Sequence, residues 1–364
     1  MKKVLIIGLT ERMGGVETFI YNTTVFSNKE NIQYDYLVHG TDHAQFQKQI
    51  TDFYGDNHHF HFVGHFKSKP IKTMWELFKF YKTHHYDAVH LQTGATFEVV
   101  YTFPYNILFG LKVICHSHNG NGFSNLQNAI FRPILNYCAN RRLACSQVAA
   151  DWLFGKNKGK TAEVINNGID VNRFTYSEQN RMRMREIYSL KDKFVIGHIG
   201  RFSEQKNHQF ILKIYQEILV KRQDCVLFLV GTGELLKEVK AAAVEMQLDK
   251  HIIYVNRTSS PEDFYCLFDA FLMPSLYEGL PIVGVEAQCE GLDCYFSDNI
   301  SSEIAITDCC HIYSLNHTAK EWASFILEGE KKKAPRELYP KIVSQAGFSI
   351  QYVVSRLEQI YNEV

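Results

Sequence analysis

Two glutamates, Glu278 and Glu286, stand eight positions apart around a segment that could bind an anion. Glu278 follows the apolar run 271–274, and Glu286 falls on the first turns of a helix predicted to begin at Pro281, because proline is tolerated at the first helical position. Amides at a helix N-terminus have no intrahelical acceptor and attract groups such as a diphosphate. Carboxylates on both sides could accept hydrogen bonds from sugar hydroxyls. The spacing indicates a nucleotide-sugar site, although two solvated charges near a helix start would show the same spacing.

Cations and glycines lie at the ends of two predicted strands upstream of these glutamates. Arg201 directly follows the buried-strand pattern 194–200, and Lys206 comes five residues later. Two cations on one strand-to-helix loop could bind a diphosphate leaving group, whereas the alternative interpretation is a pair of surface charges. The strand pattern 226–230 ends in Gly231-Thr232-Gly233, a turn that allows the backbone to approach a ligand closely.

The first half of the chain offers a glycine loop and a histidine after predicted strands. Gly14 and Gly15 precede a helix pattern, where glycine lets amides approach an oxyanion or merely opens a tight turn. The G-x-G-x-x-G spacing of dinucleotide-binding loops is absent there. His118 follows the strand pattern 112–116 and could hydrogen-bond a sugar hydroxyl, whereas His116 is predicted to be structural. A metal site at this histidine pair is disfavoured, because no carboxylate cluster lies nearby to complete the ligands.

These segments occur in a fixed order along nearly the whole chain. By that order the chain resembles the retaining glycosyltransferases of family 4, which have the GT-B fold and include bacterial polysaccharide and glycolipid glycosyltransferases. Each motif is short, but the ordered set is specific. The matching segments are Gly14-Gly15-Val16-Glu17, His118-Asn119, Asn167-Gly168-Ile169-Asp170, Gly200-Arg201 with Lys206, Gly231-Thr232-Gly233, and Glu278 with Glu286.

The resemblance implies a role for each site residue. Glu286 would receive ribose hydroxyls, Glu278 would orient the donor sugar, and two cations would stabilise the departing diphosphate. No metal or other cofactor is therefore expected, and the chain has no Asp-x-Asp pair. The residues implied to be catalytic are His118, Arg201, Lys206 and Glu278. The residues implied to bind the donor are Gly14, Gly15, Gly200, Gly231, Gly233, Gly279, Leu280, Pro281, Ile282 and Glu286.

The implied activity is retaining transfer of a hexosyl or N-acetylhexosaminyl unit to a glycan or polyprenyl-linked acceptor in surface polysaccharide biosynthesis. A UDP-sugar is favoured as the donor over GDP-mannose. Two alternatives keep the same fold: a non-hydrolysing sugar-nucleotide epimerase, which needs no acceptor, and a catalytically silent nucleotide-sugar-binding protein. Nucleic acid is not expected as a partner, and the sequence carries no indication of an oligomeric state.

Alternating strand and helix patterns predict an α/β protein with two doubly wound, Rossmann-like domains. A chain of 364 residues exceeds the usual size of a single core. We place an acceptor-binding domain at 1–170, a hinge in the polar stretch 171–192, and a nucleotide-sugar-binding domain at 171–345. The resembling fold implies that the two domains face each other and that the last helix, within 346–364, crosses back to the first. The predicted strands are 3–9, 33–39, 59–63, 88–92, 112–116, 142–145, 194–200, 226–230, 252–255, 270–273 and 294–296.

Composition is that of an ordinary globular protein, with 46% hydrophobic and 21% charged residues. The nine cysteines form no CxxC pair, so buried reduced thiols and a cytoplasmic location are expected. No segment has the run of about 20 apolar residues that a membrane-spanning helix needs. Residues 1–170 carry 17 Lys and Arg against 13 Asp and Glu, so the first domain is the better candidate for an anionic partner.

Segment 66–82 combines lysines with a helical pattern whose apolar positions are 71, 74, 75, 78 and 81. The favoured interpretation is a crossover helix with this face packed on the sheet, because most such stripes are core. The alternative is an interfacial helix that places the enzyme peripherally on the anionic inner face of the cell membrane. Lys331-Lys332-Lys333 is interpreted as a solvated loop.

Overall fold

The computed structural model describes residues 1–12, 14–120, 125–329 and 335–364. The chain divides into two compact units, one formed by Met1–Gly168 with Gly347–Val364 and the other by Ile169–Ala346. The divisions expected from the sequence, after residues 170 and 345, lie close to these. The run Lys331-Lys332-Lys333 lies outside the described residues.

The first unit contains a parallel sheet in the order β3-β2-β1-β4-β5-β6-β7. This order reverses at β1, as in a doubly wound fold, where ligands bind beyond the carboxyl ends of the strands near the reversal. The strands are β1 (Lys2–Ile7), β2 (Ile32–His39), β3 (Phe60–Val63), β4 (Ala88–Thr93), β5 (Val113–Ser117), β6 (Ala139–Ala144) and β7 (Glu163–Val164).

The second unit contains another parallel sheet, in the order β10-β9-β8-β11-β12-β13. Here the order reverses between β8 and β11, so the loops that follow these two strands emerge side by side. The strands are β8 (Phe194–Ile199), β9 (Cys225–Val230), β10 (Ile252–Val255), β11 (Ala270–Met273), β12 (Asp293–Ser297) and β13 (Cys310–Tyr313).

Helices connect the strands of both sheets, as the right-handed crossover between parallel strands requires. In chain order the α-helices of the described residues are α1 (Gly15–Val25), α2 (Gln47–Tyr54), α3 (Pro70–Thr83), α4 (Tyr105–Phe109), α5 (Asn125–Cys138), α6 (Gln147–Phe154), α7 (Lys156–Gly159), α8 (Glu178–Ile187), α9 (His208–Lys221), α10 (Leu236–Glu245), α11 (Pro261–Leu267), α12 (Ile282–Cys289), α13 (Ala319–Glu328), α14 (Tyr339–Val343) and α15 (Ile350–Glu363).

The predicted α/β class and the two doubly wound sheets are confirmed. Each predicted strand exists within a few residues of its expected bounds, whereas β7 and β13 were not predicted. β7 has only two residues, and the pattern of β13, Cys-His-Ile-Tyr, leaves three of its four residues half-buried and one exposed. Neither offers the continuous apolar run by which a buried parallel strand is recognised.

The C-terminal helix belongs to the first unit, as predicted. The apolar side of α15 packs in one core cluster with residues of β1, β2 and α1. Gly347, with φ +85°, precedes the helix in a left-handed conformation that glycine adopts without strain. The buried residues of α15 are Ile350, Val353, Val354, Leu357, Ile360 and Tyr361.

The stretch 171–192 belongs to the second unit, in agreement with the domain expected at 171–345. Its helix α8 is fixed there, because Arg181 and Arg185 both pair with Asp269 next to β11 (2.5 and 3.2 Å). A hinge within this stretch stays a prediction.

The predicted core face of α3 is confirmed only in part, because Tyr81 is buried and Phe78 packs against the core. The other buried residues of the helix are Thr73, Leu77 and Phe80. Ile71, Met74 and Trp75 are instead exposed, at 83%, 44% and 57%.

Candidate active site

Lys206 and Glu278 form an enclosed ion pair in the second unit. Lys206 lies on a short 3-10 helix, Glu204–Lys206, in the loop after β8, and Glu278 lies in the loop after β11. Their Nζ and Oε1 atoms are 2.6 Å apart, and the side chains are only 14% and 12% exposed. Charges this far from water are weakly screened, so the pair holds a fixed geometry and a strong local field. The structure thus joins two residues that the sequence places 72 positions apart.

Polar side chains fix the two loops against each other. Gln205 donates from its side chain to the carbonyl of Tyr277 (3.0 Å) and accepts the Leu276 amide at its own carbonyl (2.8 Å). Asn207 donates to the carbonyl of Pro274 (3.0 Å) and adopts a left-handed conformation with φ +57° just before α9. Sequence reasoning missed both Gln205 and Asn207. The known tolerance of asparagine for this conformation is the only signal that could have indicated the second.

The N-terminus of α12 lies beside this pair in sequence and has no side-chain cap. The helix α12 begins at Ile282, one residue later than predicted, and Pro281 is its N-cap residue. The first amides of the helix therefore have no side-chain acceptor and are suited to an anion. A Cβ added at Gly279 would meet no atom within 4 Å, so space is open at this point of the loop. Contact of the donor with Gly279, Leu280, Pro281 and Ile282 remains a prediction.

Glu286 lies one turn further along α12, in a polar cluster of its own. The Tyr265 hydroxyl donates to its Oε2 (2.9 Å), and the nearby Arg173 donates to Glu262 (2.8 Å). Burial raises the pKa of the Glu286 carboxyl to about 7, although the Tyr265 hydrogen bond and the Arg173 charge oppose the rise. Sequence reasoning found Glu286 but missed Tyr265 and Arg173, which no motif had indicated.

Arg201 does not share the environment of Lys206. Its side chain is 74% exposed and pairs with Glu234, a residue that directly follows the glycine turn after β9 (3.1 Å). A water-exposed pair of this kind is weak and can exchange partners easily. Arg201 can therefore move to a ligand, but its predicted contact with a diphosphate is not preformed in the way that the Lys206 pair is.

The glycines after β8 and β9 have a structural reason. Gly231 has φ +146°, and a Cβ there would lie 2.0 Å from the carbonyl oxygen of Gly200. At Gly233 a Cβ would lie 2.3 Å from the carbonyl oxygen of Phe202. Only glycine at these two positions allows the two loops to pack against each other. This packing explains why the residues are glycines, without requiring the close approach of a ligand. Donor contacts by Gly200, Gly231 and Gly233 remain predictions.

In the first unit, the N-terminus of α1 already has an anionic neighbour. Gly14 is the N-cap residue, and a Cβ there would lie 2.7 Å from Oε2 of Glu17. Glu17 is 7% exposed, and the Thr10 hydroxyl donates to its Oε1 (2.6 Å). This carboxylate offsets the partial positive charge of the helix start, so Gly14 and Gly15 offer a second anion less attraction than α12 does.

His118 lies just after β5, and its backbone amide donates to Thr93 at the end of β4 (3.0 Å). Its Nε2 is hydrogen-bonded to Oε1 of Gln92, while its Nδ1 is buried without a partner. His116 is fully buried, as expected for a structural residue. Residues 121–124, which follow in the sequence, lie outside the described residues.

In the described ranges, no group of three or more His, Cys, Asp or Glu side chains has the arrangement of a metal site. No described helix has the length and apolar character needed to cross a bilayer.

Comparison with known proteins gives the same family as the motifs. Residues 13–173 match the family described as Glycosyltransferase Family 4, and residues 180–302 match Glycosyl transferases group 1. EpsF of Bacillus subtilis (strain 168), whose name describes it as a glycosyltransferase, is 30% identical over 99% of this chain and 96% of its own. The chain belongs to glycosyltransferase family 4. Another similar protein is the Escherichia coli UDP-Gal:alpha-D-GlcNAc-diphosphoundecaprenol alpha-1,3-galactosyltransferase, 25% identical over 63% of this chain and 62% of its own.

Solved structures show that this glycosyltransferase has the GT-B fold. The crystal structure of Anabaena HepE in complex with UDP superposes with a TM-score of 0.83 at 16% identity, covering 100% of both chains. WaaG, a glycosyltransferase involved in lipopolysaccharide biosynthesis, superposes with a TM-score of 0.68 at 12% identity, over 99% of this chain and 100% of its own. At these identities the likeness extends to the fold alone.

The raised pKa of Glu286 predicts a pH-dependent effect of Glu286→Gln. The pKa of the Glu286 carboxyl is about 4.5 in the unfolded protein and about 7 in the folded protein. Its contribution to the free energy of unfolding is fully present below pH 4.5 and is lost as the pH rises through 7. The glutamine variant escapes that loss. We expect it to unfold at a temperature a few degrees higher than the parent at pH 8.5, corresponding to about 1–2 kcal/mol after allowance for partial exposure, and at the same temperature at pH 4.5.

Thermal unfolding followed by circular dichroism at the two pH values measures this difference. Glu262→Gln is the matched control, because Glu262 pairs with Arg173 on the same cluster and should show no gain at pH 8.5. An equal shift of Glu286→Gln at both pH values would contradict burial as the cause.

Proposed function

We propose that this protein transfers a hexosyl or N-acetylhexosaminyl unit from a UDP-sugar to a glycan or polyprenyl-linked acceptor in surface polysaccharide assembly, with retention of the anomeric configuration. The observation that carries the proposal is the enclosed Lys206–Glu278 pair next to the uncapped start of α12. An ammonium, free amides and a carboxylate together can bind a diphosphate at one end and sugar hydroxyls at the other.

The reaction places a growing negative charge where Lys206 can meet it. As the bond between the anomeric carbon and the phosphate oxygen breaks, charge develops on the UDP leaving group. Lys206 and the first amides of α12 stabilise that charge without reorganising, which is the main means by which fixed donors accelerate a reaction. The acceptor oxygen forms its bond to the anomeric carbon on the face that UDP leaves, and the acceptor proton passes to a phosphate oxygen.

Glu278 has two functions in this scheme. One of its oxygens holds Lys206 at 2.6 Å, so that the ammonium does not have to be fixed by the ligand. The other can accept a hydrogen bond from a donor-sugar hydroxyl. Glu286, with Tyr265 against its Oε2, is the residue we assign to the ribose hydroxyls.

The names of similar proteins support the donor and acceptor classes. The Escherichia coli relative is named for UDP-Gal and a diphosphoundecaprenol acceptor. CapM of Staphylococcus aureus, 21% identical over 66% of both chains, is named a capsular polysaccharide biosynthesis glycosyltransferase. HepE has been crystallised with UDP-glucose. These names favour a UDP-sugar and a lipid-linked glycan for the present protein.

We also propose that the first unit binds an anionic membrane surface through the α3–α4 surface, defined as Ile71, Met74, Trp75, Ile107 and Leu108. These side chains are 44–83% exposed. The two helices are held together, since the Tyr105 hydroxyl donates to the Met74 carbonyl (2.8 Å) and the Phe78 and Phe109 rings lie 5.6 Å apart. One helix face is therefore extended by its neighbour into a single apolar area.

The charge of segment 66–82 supports an anionic lipid as the partner of the α3–α4 surface. Segment 66–82 holds five lysines and one acidic residue. Lys79 lies over the Trp75 ring at 5.2 Å, and Lys72 pairs with the one acid, Glu76, at 3.6 Å. Exposed aromatic and aliphatic side chains surrounded by lysines are typical of a helix that rests in the headgroup region.

The transfer reaction is tested with UDP-hexoses and UDP-N-acetylhexosamines against a polyprenyl-diphosphate-linked sugar. UDP release reports turnover, and NMR of the product reports its anomeric configuration. We expect Lys206→Ala to lower kcat about 100- to 1,000-fold, the usual cost of removing one fixed donor to a developing charge. Lys221→Ala is the control, because Lys221 lies on α9 and its ammonium donates to the hydroxyl of Ser324, a residue outside the proposed site (2.6 Å). Near-normal turnover by Lys206→Ala, or an inverted product, would contradict the proposal.

Since Lys206 and the α12 amides occupy the role of a divalent cation, we expect turnover in excess EDTA to match turnover without it. The same assay measures this after dialysis against the chelator. Restoration of lost activity by Mn²⁺ or Mg²⁺, but not by K⁺ at equal ionic strength, would show that a metal is needed.

Replacing Ile71 and Trp75 together by glutamate should weaken binding to vesicles with 30% phosphatidylglycerol at least fivefold, because it removes apolar area and adds two negative charges. Flotation measures binding, with neutral phosphatidylcholine vesicles for comparison. Turnover on a water-soluble acceptor should not change. Val220→Glu is the control, since Val220 is an isolated exposed residue of α9 (77%). Equal flotation of parent and double variant would rule out this surface.

A further inference from the structure

A chain of buried hydrogen bonds in the first unit connects α15 with His118. The hydroxyl of Tyr361 lies 2.7 Å from Nδ1 of His90, and Nε2 of His90 lies 3.3 Å from Nδ1 of His116. Gln92 bridges the histidines on either side of it, with Nε2 3.4 Å from Nδ1 of His90 and Oε1 2.5 Å from Nε2 of His118. Four residues of this hydrogen-bond network are at most 2% exposed, namely Tyr361, His90, His116 and Gln92.

The three imidazoles of this network, those of His90, His116 and His118, are neutral, so each carries a hydrogen on one of its two nitrogens. Burial lowers the pKa of His90 and of His118 to about 3, and it lowers the pKa of His116 as well. In a neutral imidazole one nitrogen donates and the other accepts, and the hydrogen-bond partner decides which. The positions of the hydrogens therefore follow from the fixed partners, Tyr361 and Gln92.

Two donors converge on His90. With the Tyr361 hydroxyl and the Gln92 amide both directed at Nδ1, that nitrogen is the acceptor and Nε2 carries the hydrogen. The same orientation of the Gln92 side chain turns its oxygen towards His118. An amide oxygen can only accept, so the hydrogen of His118 is on Nε2 and its Nδ1 keeps a free lone pair. That Nδ1 is buried and has no partner.

We propose that Gln92 is a positioning residue that holds His118 in the Nε2–H form, so that Nδ1 accepts a hydrogen bond from a sugar hydroxyl of the substrate. This inference rests on the proposed glycosyl transfer. A buried acceptor without a partner is costly, and a ligand hydroxyl would satisfy it. The role belongs to Gln92 because its oxygen is the group that excludes the other tautomer.

Close packing fixes the positions of the Gln92 and His118 side chains. Gly8, with φ +147°, lies against Gln92, where an added Cβ would be 2.6 Å from the carbonyl oxygen of Gln92 and 2.7 Å from its Cβ. The Phe19 ring lies 5.1 Å from the rings of both His116 and His118. Gln92 is also paired in register with His116 across β4 and β5. The amide and the ring are therefore held at fixed separation by strands and by contact on both sides.

The test uses protein with ¹⁵N-labelled histidine, in which NMR distinguishes the two tautomers of a neutral imidazole. His118→Asn identifies the signals of His118. We expect the Nε2–H form in the parent and a mixture of tautomers in Gln92→Met, which keeps the volume of the side chain and removes both polar atoms. We also expect kcat to fall about 10- to 100-fold in Gln92→Met, with KM for the donor changed less than threefold.

Tyr36→Phe is the control, because it removes a buried hydrogen bond to Thr24 (2.6 Å) in the same unit without contacting His118. It should leave the His118 tautomer and kcat unchanged, even if it lowers the unfolding temperature as much as Gln92→Met does. Tyr361→Phe should leave the tautomer of His118 unchanged, since the Gln92 amide still donates to His90.

Several results would overturn the inference. An Nδ1–H form of His118 in the parent would do so even if Gln92→Met failed to fold. An unchanged tautomer in a folded Gln92→Met protein would remove the role of Gln92. A changed tautomer with unchanged kcat would show that the substrate does not use Nδ1. If the parent transferred no sugar at all, the substrate contact would fail with the proposed function, while the NMR measurement would still decide whether Gln92 sets the tautomer.

Discussion

The second unit depends on holding a lysine and a glutamate together away from water. Moving a charged side chain out of water costs on the order of several kcal/mol, and the attraction between two such charges offsets this cost only when the geometry is good. The loops after β8 and β11, which are joined by Gln205 and Asn207, hold Nζ of Lys206 2.6 Å from Oε1 of Glu278. The parallel sheet makes this arrangement possible, since its strand order reverses between these two strands and their loops emerge as neighbours.

Two ionisable residues of the proposed site, Arg201 and Glu286, lie in different environments. Arg201 is solvated and paired with Glu234, so its position is inexpensive to change. Glu286 is enclosed with Tyr265, and its pKa of about 7 allows the carboxyl to gain or lose a proton near neutral pH. The proposed site therefore combines one rigid ion pair, one movable cation and one carboxyl that can change protonation near neutral pH.

The sequence allowed the fold to be predicted because buried parallel strands leave continuous apolar runs, and β8, β9 and β11 are clear examples. It identified Glu278, Lys206 and His118 as candidate site residues, since they follow the runs of β11, β8 and β5. It could not give their partners. The pairing of Arg201 with Glu234 and of His118 with Gln92 depends on which strands are neighbours in the sheet, and that order is not written in any local pattern. In α3 both helix faces are apolar, so periodicity could not decide which one packs, and the exposed Trp75 was assigned to the core.

The first unit is assembled from two separate parts of the chain, with Ile169–Ala346 between them. Its core is incomplete until the final eighteen residues, Gly347–Val364, have been synthesised, because six apolar side chains of α15 fill it. The second unit is continuous in sequence and faces no such delay. During translation, the first unit is consequently completed later than the second, and until α15 has been synthesised the apolar side chains of β1, β2 and α1 that it covers lack this part of their core.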